Sequence, residues 1–307
     1  MRSIFSYLTV IFSVLLFACG GSGEQQANQE TVSADTIAQM ASMSLEEAWA
    51  TDTVMIAPES VIYDESNDAI YVANIGAVNA EGSDGDGFIA KMSSEGEITE
   101  LKWVTGLNDP KGMGIHDGML YVADIREVKV INLETGEIAE THPVEGAQFL
   151  NDITVDGNGA VYMTDSGTDK IHMLADGQVS TWMSDSTLQR PNGLYAEDDQ
   201  ILLASANGGF FAPISKEGKE IGEHWLENIP SADGIIKTSD GNYIVSTWQG
   251  EVHYVDAENN ETQKLLDTKA DKINSADIGY IPDQDMVLVP TFFDNRVVAY
   301  KINKGDS

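Results

Sequence analysis

A short step that recurs six times along the chain is the feature that most constrains the fold. Its middle residues lie 52, 40, 41, 41 and 44 positions apart. A repeat near forty residues is typical of propeller blades and of some helical solenoids. The middle residues, called the ring residues below, are Glu59, Lys111, Asn151, Asn192, Asp233 and Asp277.

Each step is followed by a turn rich in Asp, Gly and Asn and then by a short apolar run. These second runs are Ala69 to Ala73, Met119 to Ala123, Ala160 to Thr164, Ile201 to Ser205, Tyr243 to Ser246 and Met286 to Pro290. Short runs rich in Val, Ile and Tyr between Gly and Asp turns favour strands over helices. The pattern predicts an all-β protein, a six-bladed β-propeller with four antiparallel strands in each blade.

The last blade lacks residues for a fourth strand, because the sixth unit reaches Ser307 after its third apolar run. We predict that a strand near residues 49–56 pairs with that blade and closes the ring, which removes an open sheet edge. Just before it, Ser44-Leu45-Glu46-Glu47 matches a capping box and predicts a short helical turn. The propeller is expected to span residues 44–307.

The N-terminal segment has the pattern of a targeting sequence. Arg2 precedes an apolar run from Ile4 to Phe17, shorter than the ~20 residues of a membrane-spanning helix. Leu16-Phe17-Ala18-Cys19 resembles a bacterial lipoprotein signal, which predicts a signal peptide over 1–18 and lipidation of Cys19. The alternative is an ordinary cleaved signal. Residues 19–43 are polar and predict a flexible tether, so the protein is expected in the bacterial cell envelope, facing the periplasm or the surface, with the lipid anchor as its membrane contact.

The charge balance excludes several partners. The chain carries 50 acidic against 17 basic residues, a formal charge of −33, which repels nucleic acid. Gly218-Lys219-Glu220 lacks the hydroxyl residue of a phosphate loop, so no nucleotide site is expected.

Cys19 is the sole cysteine, so an internal disulfide is excluded. General surface acidity explains most of the charge, and only individually placed carboxylates argue for function.

The ring residues predict a polar site at one mouth of the channel, because the first strand of each propeller blade lines that channel. A second polar tier is expected where the second strands end, at Asn74, Asp124, Asp165, Asn207, Thr247 and Thr291. Converging carboxylates repel one another unless a cation joins them. Oxygen donors without His or Cys favour calcium over zinc or copper. The alternative is that Asn and Asp brace turns at these places.

The chain resembles the regucalcin and gluconolactonase (senescence marker protein type) family of six-bladed propellers, and more distantly the paraoxonases, over roughly residues 53–302. The resemblance is carried by the Glu59 step and by Phe149-Leu150-Asn151-Asp152, Pro191-Asn192-Gly193-Leu194 and Ala232-Asp233-Gly234. It implies that Glu59, Asn192 and Asp233 bind a divalent metal, with Asn151 beside metal and substrate. It also implies that Asp233 is the general base.

Two positions depart from the family pattern. Phe149 stands where sugar-lactone members carry Arg, so recognition of a sugar hydroxyl array is not expected. Lys111 stands where paraoxonase-like members carry His, which removes the residue of a histidine-dependent mechanism. Lys111 either points outward or binds an anionic group of a ligand, and it is therefore included as a substrate-binding candidate.

The resulting functional hypothesis is a calcium-dependent hydrolase of a lactone or related ester. Glu59, Asn151, Asn192 and Asp233 would hold the metal, Asp233 would activate water, and Asn151 and Lys111 would contact a small-molecule substrate. The alternative is a non-catalytic, lipid-anchored propeller that binds a ligand or protein partner. A ligand-sized cavity above the ring favours the first, and a mouth filled by Trp248 or Phe292 favours the second.

Overall fold

The computed structural model describes residues 43–78, 84–259 and 261–304. The predicted signal peptide, Cys19 and all of the predicted tether except Met43 lie outside these residues. The described chain forms six antiparallel sheets of four strands each, which confirms the six-bladed propeller. Within these ranges no helix has the length and apolar character needed to cross a membrane.

Blades 1 to 3 each consist of four consecutive strands. Blade 1 contains β2 (Pro58–Asp64), β3 (Ala69–Asn74), β4 (Gly87–Ser93) and β5 (Ile98–Leu107). Blade 2 contains β6 (Pro110–His116), β7 (Met119–Asp124), β8 (Glu127–Asn132) and β9 (Ile138–Pro143). Blade 3 contains β10 (Leu150–Val155), β11 (Val161–Asp165), β12 (Lys170–Ala175) and β13 (Gln178–Ser184).

Blades 4 and 5 repeat this order, and blade 6 borrows its outer strand from the start of the chain. Blade 4 contains β14 (Pro191–Ala196), β15 (Gln200–Ser205), β16 (Phe210–Ser215) and β17 (Leu226–Glu227). Blade 5 contains β18 (Ala232–Lys237), β19 (Tyr243–Thr247), β20 (Glu251–Asp256) and β21 (Glu261–Asp267). Blade 6 contains β22 (Gly279–Ile281), β23 (Met286–Pro290), β24 (Val297–Asn303) and β1 (Ser44–Ala50). Short 3-10 turns lie at Ser186–Leu188, Lys269–Asp271, Pro282–Gln284 and Phe292–Asp294.

The strand β1 closes the ring, as predicted, but it begins earlier than the predicted range 49–56. It pairs antiparallel with β24 from Ser44 opposite Asn303 to Ala50 opposite Val298. The predicted helical turn at Ser44 is therefore wrong. Leu45 and Trp49 pack against apolar clusters of the propeller, and the free edge of β24 offers backbone partners that an isolated helical turn lacks. This tertiary pairing outweighs the local capping preference.

The apolar core is divided among the interfaces between neighbouring blades. One cluster joins Tyr71 of blade 1 to Leu120 of blade 2, and another joins Phe211 of blade 4 to Tyr243 of blade 5. The rings of Phe211 and Tyr243 lie 5.7 Å apart. Each blade thus buries its faces against its neighbours, and a blade alone would leave both faces in water.

Candidate functional site

Five ring residues converge on one cavity at a mouth of the channel. The cavity, called the ring cavity below, has a volume of about 380 Å³. Its ring residues are Glu59, Lys111, Asn151, Asn192 and Asp233, and all five are buried. Charged and amide groups contributed by the first strands of five consecutive blades therefore share one space.

Backbone irregularities at the blade starts position these side chains. In blades 1 to 5 the register between the first and second strands shifts at the ring residue. Such a bulge takes a residue out of the hydrogen-bond ladder and changes the direction of its side chain. In blade 4 a Cβ added to Gly193 would lie 1.8 Å from the carbonyl oxygen of Asp233. Neighbouring blades approach too closely there for any side chain, so the recurring polar–Gly step has a packing cause.

Glu59 and Lys111 form a buried ion pair within the ring cavity. The Lys111 Nζ lies 3.6 Å from the Glu59 Oε1, while the Glu59 Oε2 is buried without a hydrogen-bond partner among the described residues. Burial raises the pKa of Glu59, and the ammonium of Lys111 offsets only part of this effect. Lys111 therefore points into the cavity, which excludes the outward orientation.

Asp233 is the most deeply buried acid of the cavity, with 3% of its surface exposed. Burial raises its pKa well above the usual range, and the negative charges of Glu59 and Asp277 raise it further. The side-chain amide of Asn192 donates to the Ala232 carbonyl at 3.2 Å. Asp233 is thus a carboxyl group with a strong tendency to hold a proton unless a cation approaches.

Asn151 is held by a hydrogen-bond relay between blades 3 and 4. Its Nδ2 donates to the Ser166 Oγ at 3.2 Å, and that hydroxyl donates to the Pro191 carbonyl at 2.5 Å. The relay uses one N–H of the amide and fixes which way the amide faces. The amide oxygen of Asn151 accepts no hydrogen bond from the described residues, so it can serve a ligand or metal.

The predicted second tier mainly braces turns. Asp124 accepts hydrogen bonds from the backbone N–H groups of Asn108 and Asp109, at 3.0 and 2.9 Å. Asp165 accepts in the same way from Phe149 at 2.9 Å. Here the alternative reading, that polar residues stabilise loops, explains the sequence pattern. Asn207 differs in that it lines the ring cavity.

Asp277 does not lie in the ring cavity, contrary to the prediction for all six ring residues. It lines a second cavity of about 360 Å³ bounded by the first strands, and its Oδ2 accepts a hydrogen bond from the Ser60 Oγ at 2.5 Å. The cause is that β22 begins only at Gly279. Asp277 instead bridges to blade 1, where its N–H donates to the Glu59 carbonyl at 2.9 Å.

We expect Asp277 to make stability fall with rising pH between about 4 and 7 when EDTA is present. Burial raises its folded-state pKa to about 7, against about 3.9 in the unfolded chain. The stabilisation is complete below the unfolded pKa and is lost as the pH rises through the folded pKa. Asp277→Asn should therefore make this slope shallower in urea denaturation and stabilise the protein at pH 8. An unchanged slope would contradict the assignment.

Aromatic side chains wall the ring cavity without filling it. Trp248 and Phe292 line it with ring centroids 5.7 Å apart, and Phe149 lies beneath the Lys111 ammonium at 4.9 Å. The two departures from the family pattern, Phe149 and Lys111, are thus in direct contact. Because the cavity keeps ligand-sized space, the mouth is open between these walls.

Sequence reasoning missed two polar residues that line the ring cavity, Arg190 and Ser231. Both lie two positions before a ring residue, as Phe149 does. This position could have identified them, because it recurs along the chain with the same spacing as the ring residues. Its side chains differ from blade to blade, so no residue type repeats there to attract notice.

The donor atoms of the ring cavity fit a hard divalent cation. Two carboxylates and two amides come from four blades, and the unpartnered Oε2 of Glu59 is an orphaned acceptor of the kind that a cation satisfies. Among the described residues no three His, Cys, Asp or Glu side chains cluster at metal-binding distance, so the amides of Asn151 and Asn192 must complete such a site. Lys111 pairs with the other oxygen of Glu59 and would compete with the ion.

Neither protein-family profiles nor curated proteins match this chain. Solved structures do share its fold. The chain is 12% identical to a streptogramin B lyase, with a TM-score of 0.64 over 86% of this chain and 99% of that one. It is 14% identical to a structural-genomics target provisionally named a gluconolactonase, with a TM-score of 0.63 over 87% of this chain and 95% of that one. It is 12% identical to an inactive virginiamycin B lyase variant from Staphylococcus aureus, with a TM-score of 0.60 over 84% and 99%.

Proposed function

We propose that this protein is a calcium-dependent hydrolase of a lactone or related ester. The observation that carries the proposal is the convergence of Glu59, Asn192 and Asp233 on a cavity of about 380 Å³. A small ester or lactone fits a space of this size. The similarity to streptogramin B lyase and to the provisionally named gluconolactonase supports a propeller scaffold on which either hydrolysis or elimination can be built.

Each residue has a defined task in this proposal. Glu59, Asn151, Asn192 and Asp233 would hold the ion, which when bound supplies Lewis-acid polarisation of the substrate carbonyl. Asp233 accepts the proton of the attacking water, a role suited to a carboxylate whose pKa is raised by burial. Asn151, with its donor side fixed by Ser166, presents an amide oxygen that orients the water or the substrate.

Calcium titration of the EDTA-treated protein tests the metal site. We expect saturating calcium to raise the melting temperature by about 5–10 °C, because a ligand at 100 times its Kd stabilises the folded state by about 2.7 kcal/mol. A panel of lactones and aryl esters is then assayed with calcium and with EDTA, and product analysis separates hydrolysis from elimination. No stabilisation by calcium would refute the metal site.

A second candidate, a non-catalytic binding module, is favoured by one contact. Lys111 already neutralises part of Glu59 at 3.6 Å, so the ring has an internal cation that could brace the channel without chemistry. Stabilisation by calcium with no turnover of any ester or lactone would support this candidate over the hydrolase.

A further inference from the structure

Arg190 is an exposed cation at the rim of the ring cavity. It lines the same cavity as the buried Lys111. Its guanidinium forms no ion pair or hydrogen bond with any residue in the ranges that the structure describes. In a chain of formal charge −33, abundant carboxylates could have paired with it. Because the Arg190 guanidinium is unpaired among the described residues and lies at the rim of a cavity in an acidic protein, it is a candidate to bind an anionic ligand.

The backbone at Arg190 is tightly held, yet the fold does not require an arginine there. Its N–H donates to Asp169 at 2.6 Å, its carbonyl accepts from Ala206 at 3.0 Å, and its φ is +62°. The equivalent step has the same left-handed conformation in blades 1 and 5, where Ala57 and Ser231 have φ of +49° and +61°. Since small side chains suffice in those blades, the arginine has no architectural cause.

Lys111 supplies a second cation to the same space. Its ammonium forms one ion pair among the described residues, with the Glu59 Oε1 at 3.6 Å, a distance longer than a hydrogen bond. The Phe149 ring at 4.9 Å covers another side. The donors of this ammonium are therefore incompletely used within the described residues, and it can bind one more anionic group.

We propose that Arg190 and Lys111 form a carboxylate-binding subsite, so that the substrate is an ester or lactone bearing a free carboxylate. That the ligand is a substrate rests on the proposed function. That the ligand carries a carboxylate rests on the two cations alone. A guanidinium fork matches a carboxylate through two parallel hydrogen bonds, and a single negative charge is easier to accept than a phosphate dianion beside Glu59 and Asp233.

The walls of the cavity define the remainder of the ligand. Trp248 and Phe292 offer aromatic faces near the cations, and such faces favour an aryl or alkyl group. The complete ligand is then a small apolar molecule with one carboxylate. The net negative charge of the protein repels the ligand's carboxylate, and the positive charges of Arg190 and Lys111 offset this repulsion locally.

The test compares phenylacetate with its neutral analogue phenylacetamide by isothermal titration calorimetry in EDTA. We expect the acid to bind wild-type protein at millimolar concentration and about tenfold more tightly than the amide. Arg190→Gln should reduce this difference to at most a few-fold, because only Lys111 remains, while Arg190→Lys should retain more of it. Added salt should weaken binding of the acid more than binding of the amide.

Arg126→Gln is the matched control, because Arg126 is an exposed arginine of the β7–β8 turn that does not line the ring cavity. This variant should bind both probes as wild type does, and the melting temperature of each variant verifies folding. Equal affinity for acid and amide in the wild type, an undiminished difference in Arg190→Gln, or absence of acid binding would each overturn the subsite. Failure to detect the proposed hydrolase activity would not by itself overturn the subsite, since these titrations need neither calcium nor turnover.

Discussion

Asp233→Asn is expected to lower kcat for ester or lactone hydrolysis by about 10²–10⁴-fold, the range associated with a general base. The amide keeps the shape and one oxygen donor of the carboxylate but cannot accept a proton from water. Because burial raises the pKa of Asp233, a neutral isostere avoids the free-energy cost of either charging or protonating this carboxyl group. The melting temperature in EDTA should therefore equal or exceed that of wild type, while calcium affinity falls. Steady-state kinetics at saturating calcium and thermal shift measure these effects.

Asp277→Asn is the matched control for this experiment. Asp277 is also a buried channel carboxyl with a raised pKa, but it lines the other cavity. The same chemical change should leave kcat within a few-fold of wild type. A hydrolase in which both variants lose activity equally would indicate a general electrostatic effect of the channel, and one in which Asp233→Asn keeps full activity would contradict the assigned base.

A chain that begins at Thr51 is expected to lose cooperative thermal unfolding, because it lacks β1. The deletion removes the ladder between β1 and β24 and the packing of Leu45 and Trp49. Each ladder hydrogen bond contributes about 1 kcal/mol and each large apolar side chain about 1.5–3 kcal/mol. Their sum is comparable with the whole net stability of a domain, about 5–15 kcal/mol. Circular dichroism during heating measures the loss.

A chain that begins at Met43 is the control and should unfold at the wild-type temperature, since it keeps β1. A synthetic peptide of residues 43–51 added to the shorter chain should restore part of the transition by occupying the free edge of β24. If the chain from Thr51 unfolds as wild type does, β1 does not contribute to closure.

The blades could be predicted from sequence because their signals are local. Met119–Asp124 and Val161–Asp165 are short, apolar and bounded by turn residues, and each hairpin forms within one repeat. The start of β1 could not be predicted in this way. Ser44-Leu45-Glu46-Glu47 satisfies a helical cap and a strand equally well, and the partner that decides between them, β24, lies at the other end of the chain.

The residues of the candidate site could be predicted from sequence where the packing of neighbouring blades requires the same residue type in successive repeats. Asn192 and Asp233 stand out because the following glycines are required where blades meet. Asp277 was placed wrongly because β22 starts late, a shift that the spacing of the steps conceals. Arg190 was missed because its position repeats while its side-chain type does not.

The pairing of β1 with β24 also sets the order of events during biosynthesis. Ser44 is made long before its partner Asn303, so β1 must wait unpaired until β24 has been synthesised. A waiting strand with free backbone groups is prone to associate with other chains. Glu46 and Glu47 are exposed on β1, and their adjacent negative charges discourage such association until β1 pairs with β24.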